Sequence, residues 1–501
     1  MKILFYFPSA LVAPHFGVLL DEAEIMFRNG HEVYFATCDN VLDVCIMNNQ
    51  SCNSICKLCH WRTKNDLKLL SQDIHVLHLK DYVGNVAYNN SFSYHSMSDM
   101  KKIEYKGVKI GFAVLSSYIT LTRNIDPVFD DKLRKHLDKC LQVSIRLTDA
   151  FENLLNSLHP DKVCTFNGRF YETRPVFELS KMKGYPVCCY EVRGGFGEDF
   201  YKVKFENNLP HDIRLNMQMI EDCWNDGSKS LEEKIKKGSS FFENRRNGKP
   251  AGDKIYIKDQ KKGAMPDDWD DSKRNVAIFN SSEDEFMAVS EEYDQLALFP
   301  SQIEGIRSIL TMYKDDKSFH FYLRIHPNLK DIKYKYHTDL HKLSEEFNNV
   351  TVIPGDSIIS SYDLMEHAEK VIVFGSTMGM ESVYWKKPVI LLAGALYTYM
   401  DICYKPTSME NLKELIASNL EPKENLPAIK IGYYLMHRDE RAKYTFFDFN
   451  LWRGSFFGHK FTYPKYEKIM RSNMLYALFS AFRHRLYNLS NLFGLFSSKA
   501  F

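Results

Sequence analysis

Phe374-Gly-Ser-Thr-Met-Gly-Met-Glu381, followed by Lys387-Pro-Val-Ile-Leu-Leu392, changes its hydrophobic period twice within a short span. The apolar run Val371–Phe374 reads as a strand. Gly375-Ser376-Thr377 reads as a tight turn, Met378 onward as a helix and Val389 onward as a second strand. Strand, turn, helix, strand is the unit of a doubly wound parallel sheet. The turn leaves backbone N–H groups and two hydroxyls where a helix begins, which suits a phosphate. Earlier in the chain, Arg324-Ile-His-Pro-Asn328 closes another strand-like run, His320–Ile325. Its proline turns the chain sharply. His326 can bond a phosphate oxygen there, and Arg324 can add fixed positive charge.

The alternation extends both ways. Asn275–Asn280 reads as a strand with the exit loop Ser281-Ser-Glu-Asp-Glu285, where Ser281 and Ser282 can meet a donor. Helix Ser301–Lys314, helix Tyr336–Asn348, strand Val350–Ile353 and helix Tyr362–Glu369 complete the pattern, and Ser360-x-x-Asp363 resembles a capping box. Glu381, on the first turn of its helix, can reach a ribose or sugar hydroxyl or simply favour the helix dipole.

The chain opens on a second unit of the same kind. Lys2–Phe7 is a strand, and Phe16, Leu19, Leu20, Ala23, Met26 and Phe27 recur at helical spacing. Gly30 ends that helix, and His31–Thr37 is the next strand. Strands are further expected at Ile74–Leu79, Lys109–Phe112, Lys162–Phe166 and Pro186–Tyr190, and helices at Asp130–Leu158 and Tyr171–Lys183. The fold class is therefore α/β of the GT-B type, two Rossmann-like doubly wound domains facing a cleft. Residues 1–225 form the N-terminal, acceptor domain with a Cys-rich insert at 38–59. Residues 226–274, rich in Lys, Gly, Asp and Pro, read as a linker with a surface excursion. Residues 275–430 form the donor domain and 431–501 a C-terminal helical tail.

Composition bounds the function classes. Sixty-five basic residues against 64 acidic give a net charge of +1, which excludes a dominant nucleic-acid role. Met1–Pro8 is apolar but too short for a signal sequence. No apolar run has the length of a membrane span. A cytoplasmic site of action is expected, peripheral on the inner face of the cytoplasmic membrane. In the tail, Leu475, Leu478, Phe479, Phe482, Leu486, Leu489, Phe493 and Phe496 share one helical face, and no acidic residue follows Glu467. Such a helix either docks on an anionic membrane surface or packs back onto the protein.

Five of the 11 cysteines crowd between Cys38 and Cys59. An odd total argues against a disulfide scaffold. Cys56-x2-Cys59 has a metal-knuckle spacing, so a structural zinc or iron–sulfur site stands beside reduced, partly buried thiols as the two readings of Cys38, Cys45, Cys52, Cys56 and Cys59.

Taken together, Ser360-Ser-Tyr-Asp-Leu-Met365, Gly375-Ser-Thr-Met-Gly-Met-Glu-Ser382, Lys387-Pro-Val-Ile390 and Gly394-Ala-Leu-Tyr397 resemble bacterial capsular polysaccharide biosynthesis proteins, a family that includes capsule Kdo transferases. The His-Pro and Ser-Thr elements are similar to the His-Pro and Ser-Ser motifs of bacterial sialyltransferases and polysialyltransferases. That resemblance implies that His326, Ser376 and Thr377 hold the phosphate of a nucleotide-sugar donor, with a CMP-activated acidic sugar favoured over a UDP sugar. The first domain, through Phe5-Tyr-Phe-Pro-Ser9, His15-Phe-Gly17 and Phe166-Asn-Gly-Arg169, looks like surface-polysaccharide glycosyltransferases.

The expected partners are a nucleotide sugar and a glycan or lipid-linked glycan acceptor. Neither a cofactor nor a catalytic metal is assigned. An inverting transferase needs a base for the acceptor hydroxyl. Glu191, ending a strand before a glycine-rich turn, and His15, at the exit of the first strand, are the candidates, with Asn167 and Arg169 orienting the acceptor or the donor. A teichoic-acid-type polyol-phosphate transferase, a UDP-sugar 2-epimerase and a non-catalytic membrane-associated assembly factor are the competing readings.

Overall fold

A computed structural model describes residues 1–84, 91–194, 200–249, 251, 255–436, 440–446 and 453–462. The apolar face of the expected tail helix and the amphipathic pattern beyond Glu467 lie outside these residues.

The first domain is built on strands β1 (Lys2–Tyr6), β2 (Glu32–Thr37), β3 (His75–His78), β4 (Lys162–Phe166), β5 (Val187–Gly194) and β6 (Phe200–Glu206). β1 pairs in parallel with both β2 and β4; β3 extends the sheet beyond β2 and β5 beyond β4. Chain order therefore reverses between β1 and β4, the place where such sheets hold ligands. Successive residues of β1 point to opposite faces, as a strand requires. Ile3 and Phe5 join one apolar cluster with the helix Ala13–Arg28, while Leu4 and Tyr6 join another under the helices Ile110–Thr122 and Asp131–Leu158.

The second domain carries β7 (Arg274–Phe279), β8 (Phe319–Arg324), β9 (Val350–Ile353), β10 (Lys370–Val373) and β11 (Val389–Leu391), all parallel, in the order β11-β10-β7-β8-β9. Its order reverses between β7 and β10. Both faces are buried, with Val276 and Ile278 on one side and Ala277 and Phe279 on the other. The architecture is α/β of the GT-B type.

The chain then returns. β12 (Glu440–Arg441) pairs antiparallel with β6, completing the first sheet as β12-β6-β5-β4-β1-β2-β3. β13 (Tyr444–Phe446), β14 (Arg453–Phe456) and β15 (His459–Thr462) form a small antiparallel sheet. Ala442 and Phe456 are buried in the cluster beneath the helix Ala13–Arg28, and the Arg28 guanidinium lies 4.2 Å from the Phe457 ring centroid. Asp21 of the same helix accepts the Lys443 N–H at 3.0 Å. Residues 440–446 and 453–462 thus carry short strands against the first domain, where a helical tail was expected.

Three further local expectations are corrected. Lys109–Phe112 opens the helix Ile110–Thr122, not a strand; every residue from Ile110 to Ile119 is buried, so the helix carries no amphipathic period to read. β5 runs on through Glu191 to Gly194 and forms a hairpin with β6, so Glu191 pairs with Val203 inside a strand and does not end one. The stretch 226–274 contains the helix Leu231–Arg246, opened by a full capping box between Ser230 and Glu233. Its buried face uses Lys234, Gly238 and Arg245 beside Phe241 and Phe242, a mixture that hides its helical period. At Ser360 the cap is half formed: its hydroxyl accepts the Asp363 N–H, while the Asp363 carboxylate accepts from Gly263.

Candidate active site

Asn280-Ser281-Ser282, the exit of β7, lies between the exits of β10 and β8 and ties them together. The Ser281 hydroxyl donates to the Phe374 carbonyl at 2.7 Å, just before Gly375. On the other side, the Asn280 side-chain carbonyl accepts the His326 N–H at 2.8 Å. The sheet order thus brings the Gly-Ser-Thr turn and the His-Pro turn to one edge of the domain, as their spacing predicted.

Gly375 holds its position for two reasons. Its φ is +83°, in the region that favours glycine, and a Cβ there would meet the Gly394 carbonyl oxygen at 2.6 Å. Ser376 is buried; its hydroxyl accepts the Met378 N–H at 3.3 Å and keeps its own proton to donate. Thr377 is exposed, with no partner for its hydroxyl among the described residues. Tyr397 donates to the Ser376 carbonyl and braces the turn from beneath.

At His326 the tautomer follows from geometry. Nδ1 accepts the Asn328 N–H at 3.2 Å, so the proton of the neutral ring sits on Nε2. Burial, with the Arg123 charge nearby, pushes the His326 pKa down to about 4. The ring is an uncharged donor at neutral pH, packed edge-on against Tyr256 with centroids 4.9 Å apart.

Other expected donor residues are spoken for. Arg324 donates to the Pro354 carbonyl at 2.6 Å and the Ser357 carbonyl at 3.1 Å, holding the loop after β9, and burial pushes its pKa down to about 10. The Ser281 hydroxyl also accepts from Gln302, and Ser282 donates to Asp284. Glu381 is buried between the Arg245 guanidinium, at 3.1 Å, and the Tyr362 hydroxyl, so its carboxylate joins three helices and does not face a ligand.

In the first domain, the structure gathers the acceptor candidates at the switch between β1 and β4. Asn167 adopts a left-handed φ of 57°, donates from its side chain to the Glu191 carboxylate and accepts the Arg169 N–H at 3.1 Å. Register pairs Phe166 with Tyr190, so Glu191 still lies at the ligand edge although its own strand continues. The His15 ring packs edge-on against Phe166 at 4.3 Å; its Nδ1 is buried with no partner among the described residues, and burial pushes its pKa down to about 4. Arg169 lies over the Phe170 ring and donates to Thr120 at 3.2 Å.

Arg123 joins the two halves, and nothing in the local sequence marks it. From the carboxyl end of the helix Ile110–Thr122 its guanidinium crosses to the second domain. It bonds Asp284 at 2.7 Å and 3.1 Å, Ser282 Oγ at 2.7 Å and the Asn328 carbonyl at 2.9 Å. Tyr334 and Tyr336 return the contact by donating to the carbonyls of Thr122 and Arg123. Polar contacts therefore run from Glu191 through Asn167, Arg169 and Thr120, along one helix end, to Arg123, Ser282 and Asn328 beside His326. The two candidate half-sites face each other.

Residues 287–437 match the family model for capsule polysaccharide biosynthesis proteins. That match lies within the second domain and covers less than a third of the chain. No curated protein matches the chain. Among solved structures, KpsC of Thermosulfurimonas dismutans, as the beta Kdo 2,4 transferase, is 13% identical with a TM-score of 0.34, covering 55% of this chain and 79% of its own. The spinosyn rhamnosyltransferase SpnG is 10% identical, with a TM-score of 0.26 over 87% of this chain and 95% of its own. UDP-GlcNAc 2-epimerase from Neisseria meningitidis is 11% identical, with a TM-score of 0.22 over 87% and 99%.

The cysteines stay apart as ligands. Among the described residues, no group of three or more His, Cys, Asp or Glu side chains is disposed to hold a metal ion. Asn48 donates to Cys56 Sγ at 3.0 Å, and burial pushes the Cys38 thiol up to about 12 and that of Cys45 higher.

Proposed function

We propose that this chain is a capsule-type glycosyltransferase that moves a sugar from a nucleotide donor onto a surface glycan or its lipid-linked precursor. One observation carries the reading. Three uncharged donors (the Ser376 and Thr377 hydroxyls and His326 Nε2–H) are presented at one ligand edge, within the stretch that matches the capsule polysaccharide biosynthesis family. As the sugar leaves, negative charge grows on the nucleotide phosphate, and fixed donors stabilise that charge without reorganising. Across the cleft, Glu191 takes the acceptor proton and Asn167 holds its carboxylate, with His15 beside them at the exit of the first strand. A CMP-activated acidic sugar is the donor favoured by the resemblance of the His-Pro and Ser-Thr motifs.

The experiment is a binding and transfer screen with CMP-, UDP- and GDP-sugars on wild type, His326→Ala and Glu191→Gln. His326→Ala is expected to lower kcat by 10²-fold or more with the fold intact by circular dichroism. Unchanged transfer in His326→Ala, or no binding of any nucleotide to wild type, overturns the reading.

A further inference from the structure

A cavity of about 500 Å³ opens at the carboxyl ends of β1, β2 and β3, away from the residues assigned above. That volume falls in the range of small-molecule sites. One face of the helix Asn53–Asp66, with the turn after it, forms a long wall: Ile55, Cys56, Cys59, His60, Thr63, Lys64, Leu67 and Lys68, the spacing of a single helical stripe. Over about 20 Å of helix that stripe changes character. It begins with Ile55 and the thiols and ends with Lys64 and Lys68. Both lysines are exposed and have no carboxylate partner among the described residues.

The remaining walls repeat the division. Leu42, Cys38, Cys45 and Met47 continue the apolar part, and burial keeps the Cys38, Cys45 and Cys59 thiols protonated and uncharged. At the mouth, Asp39 holds the turn after β2 in a left-handed φ of 48°, accepts from Thr37 at 2.7 Å and pairs with His78 at 2.8 Å. Asp39 is thereby satisfied from within, which leaves Lys64 and Lys68 as the open charges of the rim.

From this graded lining we infer that the cavity binds an amphiphile, a hydrocarbon chain lying along Ile55, Cys45 and Met47 with an anionic phosphate head at Lys64 and Lys68. The occupant is the lipid end of a lipid-linked acceptor, an identity that rests on the transferase reading. A free sugar fits less well, because most of the exposed lining surface is apolar and no Phe, Tyr or Trp ring lines the cavity. The β1 exit, Pro8 and Ser9, lines the cavity and leads on to His15, so lipid site and candidate active site share one loop.

The cysteines provide the assay. Wild-type protein is alkylated with N-ethylmaleimide, with and without octyl, decyl and dodecyl phosphate, and the rate at Cys56 is read by peptide mass mapping. Dodecyl phosphate is expected to slow it at least tenfold, and each methylene removed to weaken protection about fourfold. A Lys64→Glu, Lys68→Glu double variant should lose at least tenfold in affinity for the alkyl phosphates while binding dodecanol as wild type does.

Protection that does not depend on chain length, an unaffected double variant, equal protection by inorganic phosphate, or protection only by sealed anionic vesicles would each overturn the site. Nucleotide binding measured on the same variants should be unchanged. Its absence in wild type would remove the transferase reading while leaving the thiol result to stand.

Discussion

Arg123 shows how far a single side chain can organise a cleft. Its four bonds fix Ser282, Asp284 and Asn328, and Asn328 in turn fixes the His326 tautomer. Arg123→Ala leaves the buried Asp284 without its partner, which typically costs about 3–5 kcal/mol. The expected outcome is a clear fall in Tm with a raised donor KM; Arg123→Lys should recover stability but not KM, because the fork geometry is lost. His326 and His15 set the pH response. The unfolded chain protonates near the ordinary histidine value of about 6.5, the folded state only near 4. Their contribution to stability is present at neutral pH and is lost as pH falls from about 6.5 towards 4. Buried Glu172 and Glu283, pushed up to about 7, act oppositely and lose stability as pH rises through that value. Denaturant titrations across pH should therefore give a shallower acid limb for His326→Gln and a flatter neutral limb for Glu172→Gln. At this scale the turns that hold His326, Ser376 and Asn167 were legible in the sequence, because turn chemistry is local. Arg123 was invisible, since its partners Ser282 and Asn328 lie 159 and 205 positions away. Glu381 was misleading for a related reason: Arg245, 136 positions earlier, claims it.

Among the elements, the helices Leu231–Arg246 and Leu426–Leu435 cross at paired glycines. A Cβ on Gly238 would meet the Ile429 carbonyl oxygen at 2.3 Å, and one on Gly432 the Gly238 carbonyl oxygen at 2.4 Å. Backbone opposes backbone, so neither helix can yield by a rotamer change. Gly432→Ala should destabilise by about 1–3 kcal/mol, although alanine favours an isolated helix; the midpoint of urea unfolding checks this. The element scale also explains which predictions succeeded. Strands β1, β2, β4, β7, β8, β9 and β10 were readable because their apolar runs end at glycine, proline or a polar exit. The helix Ile110–Thr122 failed as a reading because burial on all sides erases periodicity, and the β5–β6 hairpin failed because Glu191 and Arg193 look like the end of a strand.

Across the whole molecule, the two domains meet through charges and through Met287, Ala288 and Tyr336, which pack on the first-domain core. Besides Arg123, Lys101 pairs with Asp294 at 2.6 Å and Lys109 with Glu291 at 2.7 Å. Exposed pairs of this kind are weak and screened by salt. Raising ionic strength should loosen the domain arrangement, read as a larger radius of gyration by X-ray scattering, with the shift greater in Arg123→Ala. Among the described residues, no helix is long and apolar enough to cross a membrane.

The return of residues 440–446 and 453–462 to the first domain has a consequence in time. β12 pairs with β6, and Lys443 binds Asp21, only after the whole second domain has been made. During synthesis the N-terminal sheet therefore leaves the ribosome with the outer edge of β6 open, and such an edge invites pairing with another chain. Nature's remedy is visible in the strand itself: Lys202 and Lys204 of β6 are neutralised by Glu22 at 2.8 Å. The nascent domain can hold its last long strand in place before its final neighbour exists.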